Sequence, residues 1–513
     1  MNKNKYLYNF MRDCLGIICG LGALALCGCA MVNEPLRGNL LTEELAVRRC
    51  AEVYSALDAA IERVGVRDAE AYRIPGFPYL RIDRFGARVR DAVGDNDRAH
   101  AQWVSRLRAL DQDARRVEIS NLPEQEINAL EGGGRAALLE KTMHCADTLR
   151  DHDIAAPERM QLLRARAQVP DDYATSQRVL GLYALTRIPF FKGISQWQSE
   201  AQQAFRDTHD DADGGKAVPP VMRYAYTRPP AVTREHIAAM IRRAGENPLR
   251  IPQYSDEERA LLARAFAPVF EVATGGAYDR FGALRWATAA APDVDASVPV
   301  VYHRVAFTRY GDQTLTQIVY TLWFPERPPD HALDMLAGRL DGVVFRVTLS
   351  PDGDPLIYDS IHPCGCYHLF IPTSRVEALP TPDDAQEWAF VPTTLAAHSV
   401  GASIVVRVAS RTHYLVKVAL DTIAPVPVGS AVYTLVPEDA LRTLPVASGT
   451  RSAYGPDGLV PGTERAERFL FWPMGIASAG AMRQWGHHAT AFVGRRHFDD
   501  ADLIEKRFRI IAP

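Results

Sequence analysis

His362-Pro363-Cys364-Gly365-Cys366-Tyr367-His368 places four soft or borderline donors at alternate positions within seven residues. Imidazole and thiolate are the donors that zinc and copper favour, so the first chemistry suggested is a metal site built from His362, Cys364, Cys366 and His368. Geometry limits it. In a regular strand, residues two apart are separated by about 6.6 Å, so four of them stretch too far to close round one ion. Pro363 and Gly365 offer a bend that brings two or three together, and His303, His398, His413, His487, His488 or His497 would then complete the shell. Two further chemistries use the same residues. Cys364 and Cys366 could close as a strained, reducible Cys-Gly-Cys disulfide, or one thiol could be a nucleophile activated by His362 or His368. The fourth reading is a tight turn with buried thiols and hydrogen-bonded histidines.

Other candidates are sparser. Trp485-Gly486-His487-His488 and Arg495-Arg496-His497 crowd polar groups beside Phe492 and Phe498, and the His-His pair reads as solvated surface. Arg81-Ile82-Asp83-Arg84-Phe85 is a basic-aromatic loop whose expected role is packing between domains. The chain contains no Gly-x-Ser-x-Gly, His-Glu-x-x-His, Walker loop or dinucleotide fingerprint. The acidic run Asp207, Asp210, Asp211, Asp213 before Gly214 fails as a calcium loop, because it puts Pro220 where a bidentate glutamate belongs.

The elements that must position these residues change type along the chain. Helical periodicity runs from Thr42 to about Gly65, where Leu45, Val53, Leu57 and Ile61 form a stripe, and then over 97–115, 123–150 and 173–206. Gly132-Gly133-Gly134 breaks the third of these. Helices are also expected from Thr233 and from Ser255, where Ser255 and Glu258 form a capping box. Near Pro299 the period becomes alternating. Hairpins are expected at Val300–Tyr310 with Leu315–Phe324, Val343–Leu349 with Leu356–Ile361, and Ile404–Ala409 with Tyr414–Leu420, and a further strand at Ala431–Val436. The expected fold is α+β, with a helical N-terminal region followed by a mostly antiparallel, β-rich C-terminal region. Its divisions are a signal at 1–28, a tether at 29–41, a helical domain at 42–206, a linker at 207–232, a helical connector at 233–298 and a β-rich α+β domain at 299–513.

The first 29 residues speak to location. Lys3, Lys5 and Arg12 precede an uncharged run from Cys14 to Val32 that contains Leu26-Cys27-Gly28-Cys29. That pattern resembles the lipobox signal of bacterial lipoproteins. The resemblance implies cleavage before Cys29, a lipid such as palmitate on Cys29, and a body held at a membrane of the cell envelope, outside the cytoplasm. An uncleaved spanning helix and plain secretion are the competing readings, although Gly16, Gly20, Gly22 and Gly28 weaken the first as a helix. Of eight cysteines, Cys50, Cys145, Cys364 and Cys366 then stay in the exported body, where oxidation makes a Cys50–Cys145 bridge a candidate beside burial as two free thiols. The net charge of −4 becomes −6 once Lys3, Lys5, Arg12 and Asp13 are removed, which argues against a nucleic-acid partner. Two function classes remain: a binding or structural envelope lipoprotein, and a tethered metal- or thiol-dependent enzyme centred on His362 to His368.

Overall fold

The computed structural model describes residues 44–511 except 92, 95, 207–218, 228–229, 289, 383–385 and 422–429. The signal, Cys29, the tether and the acidic run Asp207–Asp213 lie outside the described residues. The helical region comprises α1 (Leu45–Val64), a hairpin of β1 (Tyr72–Ile74) and β2 (Phe77–Ile82), and α2 (Arg84–Arg90), α3 (Asp97–Asn121), α4 (Glu124–Leu130), α5 (Gly134–Ile154), α6 (Pro157–Arg166), α7 (Thr175–Leu180) and α8 (Tyr183–Arg206). The buried stripe of α1 is Val47, Cys50, Tyr54, Leu57 and Ile61, rotated from the expected one, so that Leu45 is half exposed. Cys50 of α1 and Cys145 of α5 form a disulfide, their Cα atoms 4.8 Å apart. Closing a loop of this size removes chain entropy worth about 4–5 kcal/mol from the unfolded state.

The residues from Arg81 to Phe85 are not a loop but the end of β2 and the start of α2. Arg81 is wholly buried on Glu118 and Asp111, at 2.6 and 3.2 Å, and the Asp83 carboxylate caps α2 by accepting from Gly86 N–H. Two of them reach across the molecule: Arg84 to Asp172, Asp499 and the Gly486 carbonyl, and Phe85 to Phe307, with ring centroids 5.7 Å apart.

The strand-rich region begins earlier than its alternation suggests. Val221–Ala225 (β3) falls inside the expected linker, and its apolar residues pair antiparallel with Val269–Ala273 (β4). The expected helical connector likewise holds β4 beside α9 (Arg234–Ala244) and α10 (Asp256–Ala265). Each strand has only five residues, too few to show a period. Then follow β5 (Val300–Tyr310), β6 (Gln313–Arg327), β7 (Gly338–Leu349), β8 (Pro355–Ile361), β9 (Leu369–Pro372), β10 (Ser403–Val408), β11 (Leu415–Asp421), β12 (Ala431–Val432) and β13 (Thr434–Pro437). They make a six-stranded sheet in the order β9-β8-β7-β6-β5-β13 and a five-stranded sheet in the order β11-β10-β4-β3-β12. Neighbours are antiparallel except β13 on β5, β10 on β4 and β12 on β3. The fold is α+β.

Alternation along the six-stranded sheet decides what each face meets. Ile318, Tyr320, Leu322 and Phe324 of β6, with Val343, Phe345 and Val347 of β7, point inward to a core shared with the five-stranded sheet, α9 and α10. Val319 and Trp323 of β6 and Val344 of β7 point outward, where the mostly irregular segment after Pro437 covers them with Phe498, Leu441 and Met482. Both faces are dry, so the central strands read as near-continuous apolar runs, and any charge in them needs a partner.

Candidate functional site

Asp341 breaks the apolar run of β7 on its inward face, opposite Phe324. It is wholly buried and gathers three cationic or polar groups. His362 Nδ1 lies 3.2 Å from Asp341 Oδ1, His413 Nδ1 2.8 Å from Oδ2, and Arg465 Nη2 3.4 Å from Oδ1. His413 Nε2 in turn lies 3.3 Å from Asp279 Oδ1, an ion-pair distance without hydrogen-bond alignment. Asp279 accepts from Gly275 N–H, Ser410 Oγ–H and Arg411 N–H, all at 2.7 Å. Carboxylate and imidazole thus alternate from Asp279 through His413 and Asp341 to His362.

The protonation states follow from these partners. Burial opposes the charge on Asp341, yet His362 and Arg465 outweigh it and hold the carboxyl well below its usual range. Burial also opposes a cationic His413, but Asp279 and Asp341 on either side raise its pKa. For His362 burial wins over Asp341, and its pKa falls. A neutral His362 facing an ionised carboxylate must place its proton on Nδ1, because a carboxylate only accepts. Its Nε2 then carries a lone pair, and that atom is buried with no partner.

His362 also lines a cavity of about 130 Å³, together with Trp197, Glu200, Ser360, Tyr367 and Tyr414, among others. Ser360 and His362 are two residues apart at the end of β8, which is why both face inward. Trp197 and Glu200 come from α8, which covers the cavity. Ring centroids lie 4.9 Å apart for His362–Tyr367, 4.5 Å for Tyr367–Tyr414 and 5.3 Å for Trp197–Tyr367. Arg327 Nη1 donates to Tyr414 Oη at 3.3 Å. Four of the seven non-glycine residues with positive φ among the described residues surround this site: Leu340, Tyr367, Arg411 and His413, at 50°, 63°, 68° and 51°. Each such conformation costs on the order of 1–3 kcal/mol and persists where the surroundings impose it, most often at functional sites.

The expected four-donor metal site does not form. The segment is a tight turn between β8 and β9, with His362 N–H donating to Cys366 O at 3.0 Å and Gly365 N–H to His362 O at 2.8 Å. His362 leaves it on the inward face, whereas His368 Nε2 meets Asp359 Oδ2 at 3.0 Å on the outward face, where Arg346 completes the pair. Among the described residues no three His, Cys, Asp or Glu side chains converge to hold an ion, so the zinc or copper expectation finds no donor set there. Cys364 and Cys366 are free thiols, not a disulfide. They hydrogen-bond to each other, which lowers the pKa of Cys364 and raises that of Cys366. Both are buried in an apolar cluster with Trp323 and Leu340, outside the cavity lining. Buried thiols of this kind are poor nucleophiles.

Of the histidines expected to complete a shell, only His413 reaches the site. His487 Nδ1 hydrogen-bonds Asp172 at 3.1 Å, His497 Nε2 lies at ion-pair distance from the same carboxylate, also 3.1 Å, and His398 Nε2 meets Tyr358 Oη at 2.7 Å. The His487-His488 pair is buried rather than solvated, because β1 and the residues after α6 close over it. Asp341, Asp279 and Trp197 were missed from the sequence. An acidic residue at an inward position of an apolar strand is the signal that marks Asp341. Trp197, on a helix with no fully buried residue, has none. No protein-family model, curated protein or solved structure matches the chain.

Proposed function

We propose that the chain is an exported, lipid-anchored cell-envelope protein whose body binds a small ligand in the cavity beneath α8, with His362 in the cavity wall. The binding half rests on one observation. His362 lines an enclosed cavity while Asp341, with His413 and Asp279 behind it, holds the imidazole in place, and a fixed polar side chain in a mostly apolar, aromatic wall is the usual make-up of a small-ligand site. About 130 Å³ is below the usual 300–1,000 Å³ of ligand pockets, so the enclosed part of the ligand is a head group of a few heavy atoms. Acid–base catalysis on the bound group is the second reading, favoured by the alternation Asp279–His413–Asp341–His362, which orients the imidazole as a base. A thiol-dependent enzyme gains no support, since neither thiol lines the cavity.

The envelope half rests on the lipobox-like Leu26-Cys27-Gly28-Cys29. A surface strip is consistent with it. Val179, Leu180, Leu182, Leu185 and Ile188 of the α7–α8 stretch are exposed, as are Phe469 and Trp472 at α11 (Glu467–Phe471), which meets α8 through Phe190 and Phe471 at 5.2 Å. With Arg187 and Lys192 interleaved, the strip suits the surface of an anionic bilayer. No described helix is long and apolar enough to cross a membrane.

Two experiments test the two halves. Mass spectrometry of the N-terminal peptide from cells should find a lipid on Cys29 that Cys29→Ser abolishes; an intact residue 1 or an unmodified Cys29 would refute anchoring. Thermal-shift measurements on the full chain in non-ionic detergent, with small amines, alcohols and carboxylates as probes, should find a stabiliser of the wild type that leaves His362→Gln unmoved. A panel without one would refute ligand binding at this cavity.

A further inference from the structure

Resting on the envelope half of that reading, we infer that the first half of α8, with α7 before it and Trp472 beside it, is a second membrane attachment. It lies in the surface of an anionic bilayer, with its apolar side chains among the acyl chains and Lys192 at the headgroups. The helix has two apolar faces. Residues three and four apart share a face, so Ile194, Trp197 and Ala201 form one stripe. Trp197 and Ala201 lie against the body, as does Phe205 one turn on. Leu185, Ile188 and Lys192 form the opposite stripe, which is exposed, Leu185 and Ile188 to 66% each. Beyond Lys192 that outward stripe turns polar, through Gln196, Ser199 and Gln203. A helix apolar on all sides ordinarily sits inside a protein or in lipid, yet α8 has no fully buried residue.

The apolar face is continuous and basic. Val179 and Leu180 of α7, with Leu182, extend it toward the N-terminus. Gly181 seats so closely on Pro473 that a Cβ there would lie 2.6 Å from the Pro473 Cα, and Phe190 meets Phe471. These two contacts set the exposed Phe469 and Trp472 beside it. From Tyr173 to Ser199 there is no Asp or Glu, although the chain has 62 of them in 513 residues, whereas Arg187 and Lys192 fall within the stretch. That balance identifies the occupant. A second copy docked on the same face would set basic groups against basic groups, while anionic headgroups complement them. Tryptophan is at home at the bilayer interface, and a lysine ending an apolar stripe keeps its stem in the apolar layer and its charge at the headgroups. The start of the chain supports the same occupant. Fifteen residues lead from Cys29 to Glu44, a reach of at most about 50 Å. A lipid on Cys29 therefore holds the body close to the bilayer, where even a weak attachment is engaged.

The test is the fluorescence of the full chain reconstituted into vesicles of equimolar phosphatidylcholine and phosphatidylglycerol with brominated acyl chains, which quench tryptophan on contact. Of the seven tryptophans only Trp472 is exposed, so it should carry most of the quenching, and Trp472→Phe should remove that part. Leu185→Ser combined with Ile188→Ser should lower the quenching at least about threefold, because attachment scales with the apolar area buried. Lys192→Gln, or brominated phosphatidylcholine alone, should lower it less. All the substituted side chains are exposed, so each variant should melt with the wild type, and that is checked in parallel. A chain that floats with the vesicles without quenching of Trp472 would overturn the second attachment and leave the lipid anchor intact. Quenching unchanged in the double variant would overturn it as well. Self-association in non-ionic detergent that the double variant abolishes would assign the face to a second copy and overturn the bilayer as its occupant. A chain that leaves the vesicles altogether would overturn both the inference and the envelope reading beneath it.

Discussion

One hairpin carries two histidines to opposite faces of the same sheet, and the two meet different fates. His362, just past the end of β8, leans on Asp341 and lines a cavity. His368, six residues on, leans on Asp359 and is sealed by Phe370 and Phe498, with ring centroids 4.2 and 5.4 Å away. Each has an imidazole, a buried carboxylate and an arginine, Arg465 or Arg346. Each also keeps one ring nitrogen without a partner. Only the surroundings differ. On the outward face Asp359 and Arg346 are register partners on adjacent strands, a cross-strand ion pair that holds the sheet to its cover. On the inward face the pair stands beside space. Residue types therefore did not distinguish a structural histidine from a candidate functional one. Strand parity did.

The largest effect that should separate the faces is on stability. Arg346→Met leaves Asp359 buried without its cation and should cost about 3–5 kcal/mol by urea denaturation. A loss under about 1 kcal/mol would mean that the outward pair is not structural. Asp341→Asn comes next. It removes the charge from hydrogen bonds to two histidines and should cost about 2–3 kcal/mol while abolishing probe binding. Binding retained there would contradict the assigned orientation of His362.

The pH dependence should differ in sign between the two faces. Burial pushes the pKa of His368 down to about 3, against about 6.5 unfolded. Its contribution is complete above about pH 6.5 and is lost as pH falls toward 3, since the unfolded chain binds the proton first. His368→Gln should therefore flatten the stability curve between about pH 4 and 6 by at most about 1.4 kcal/mol per pH unit. His413 is raised instead, so its contribution is complete below about pH 6.5 and is lost as pH rises through its folded value. His413→Gln should change the alkaline side of the curve. The same sign for both variants would contradict these environments. The smallest stability effect should be that of His362→Gln, within about 1 kcal/mol of wild type, because Asp341 keeps His413 and Arg465. A larger loss would make His362 as structural as His368.

Much of this was legible in the sequence. The alternation from Val300 to Tyr310 predicted β5 to the residue, and Ser255 with Glu258 closes the expected capping box. The density of donors from His362 to His368 pointed to the right turn but to the wrong chemistry. Four donors along a chain look like one site until the strands are assigned faces. Asp341 lay just outside the apolar run that identified its strand, and His413 and Asp279 come together only through long-range packing. Strands β3 and β4 are too short to stand out from a linker and a connector.

The central claim is that His362 is neutral, protonated on Nδ1 and held by Asp341 at the cavity wall. Long-range ¹⁵N–¹H NMR of the imidazole in the full chain, in wild type and Asp341→Asn, tests it most directly. The account predicts a neutral Nδ1–H ring at neutral pH, a pKa below about 6.5, and loss of the Nδ1–H preference in Asp341→Asn. An Nε2–H ring, or an imidazolium at neutral pH, would contradict it.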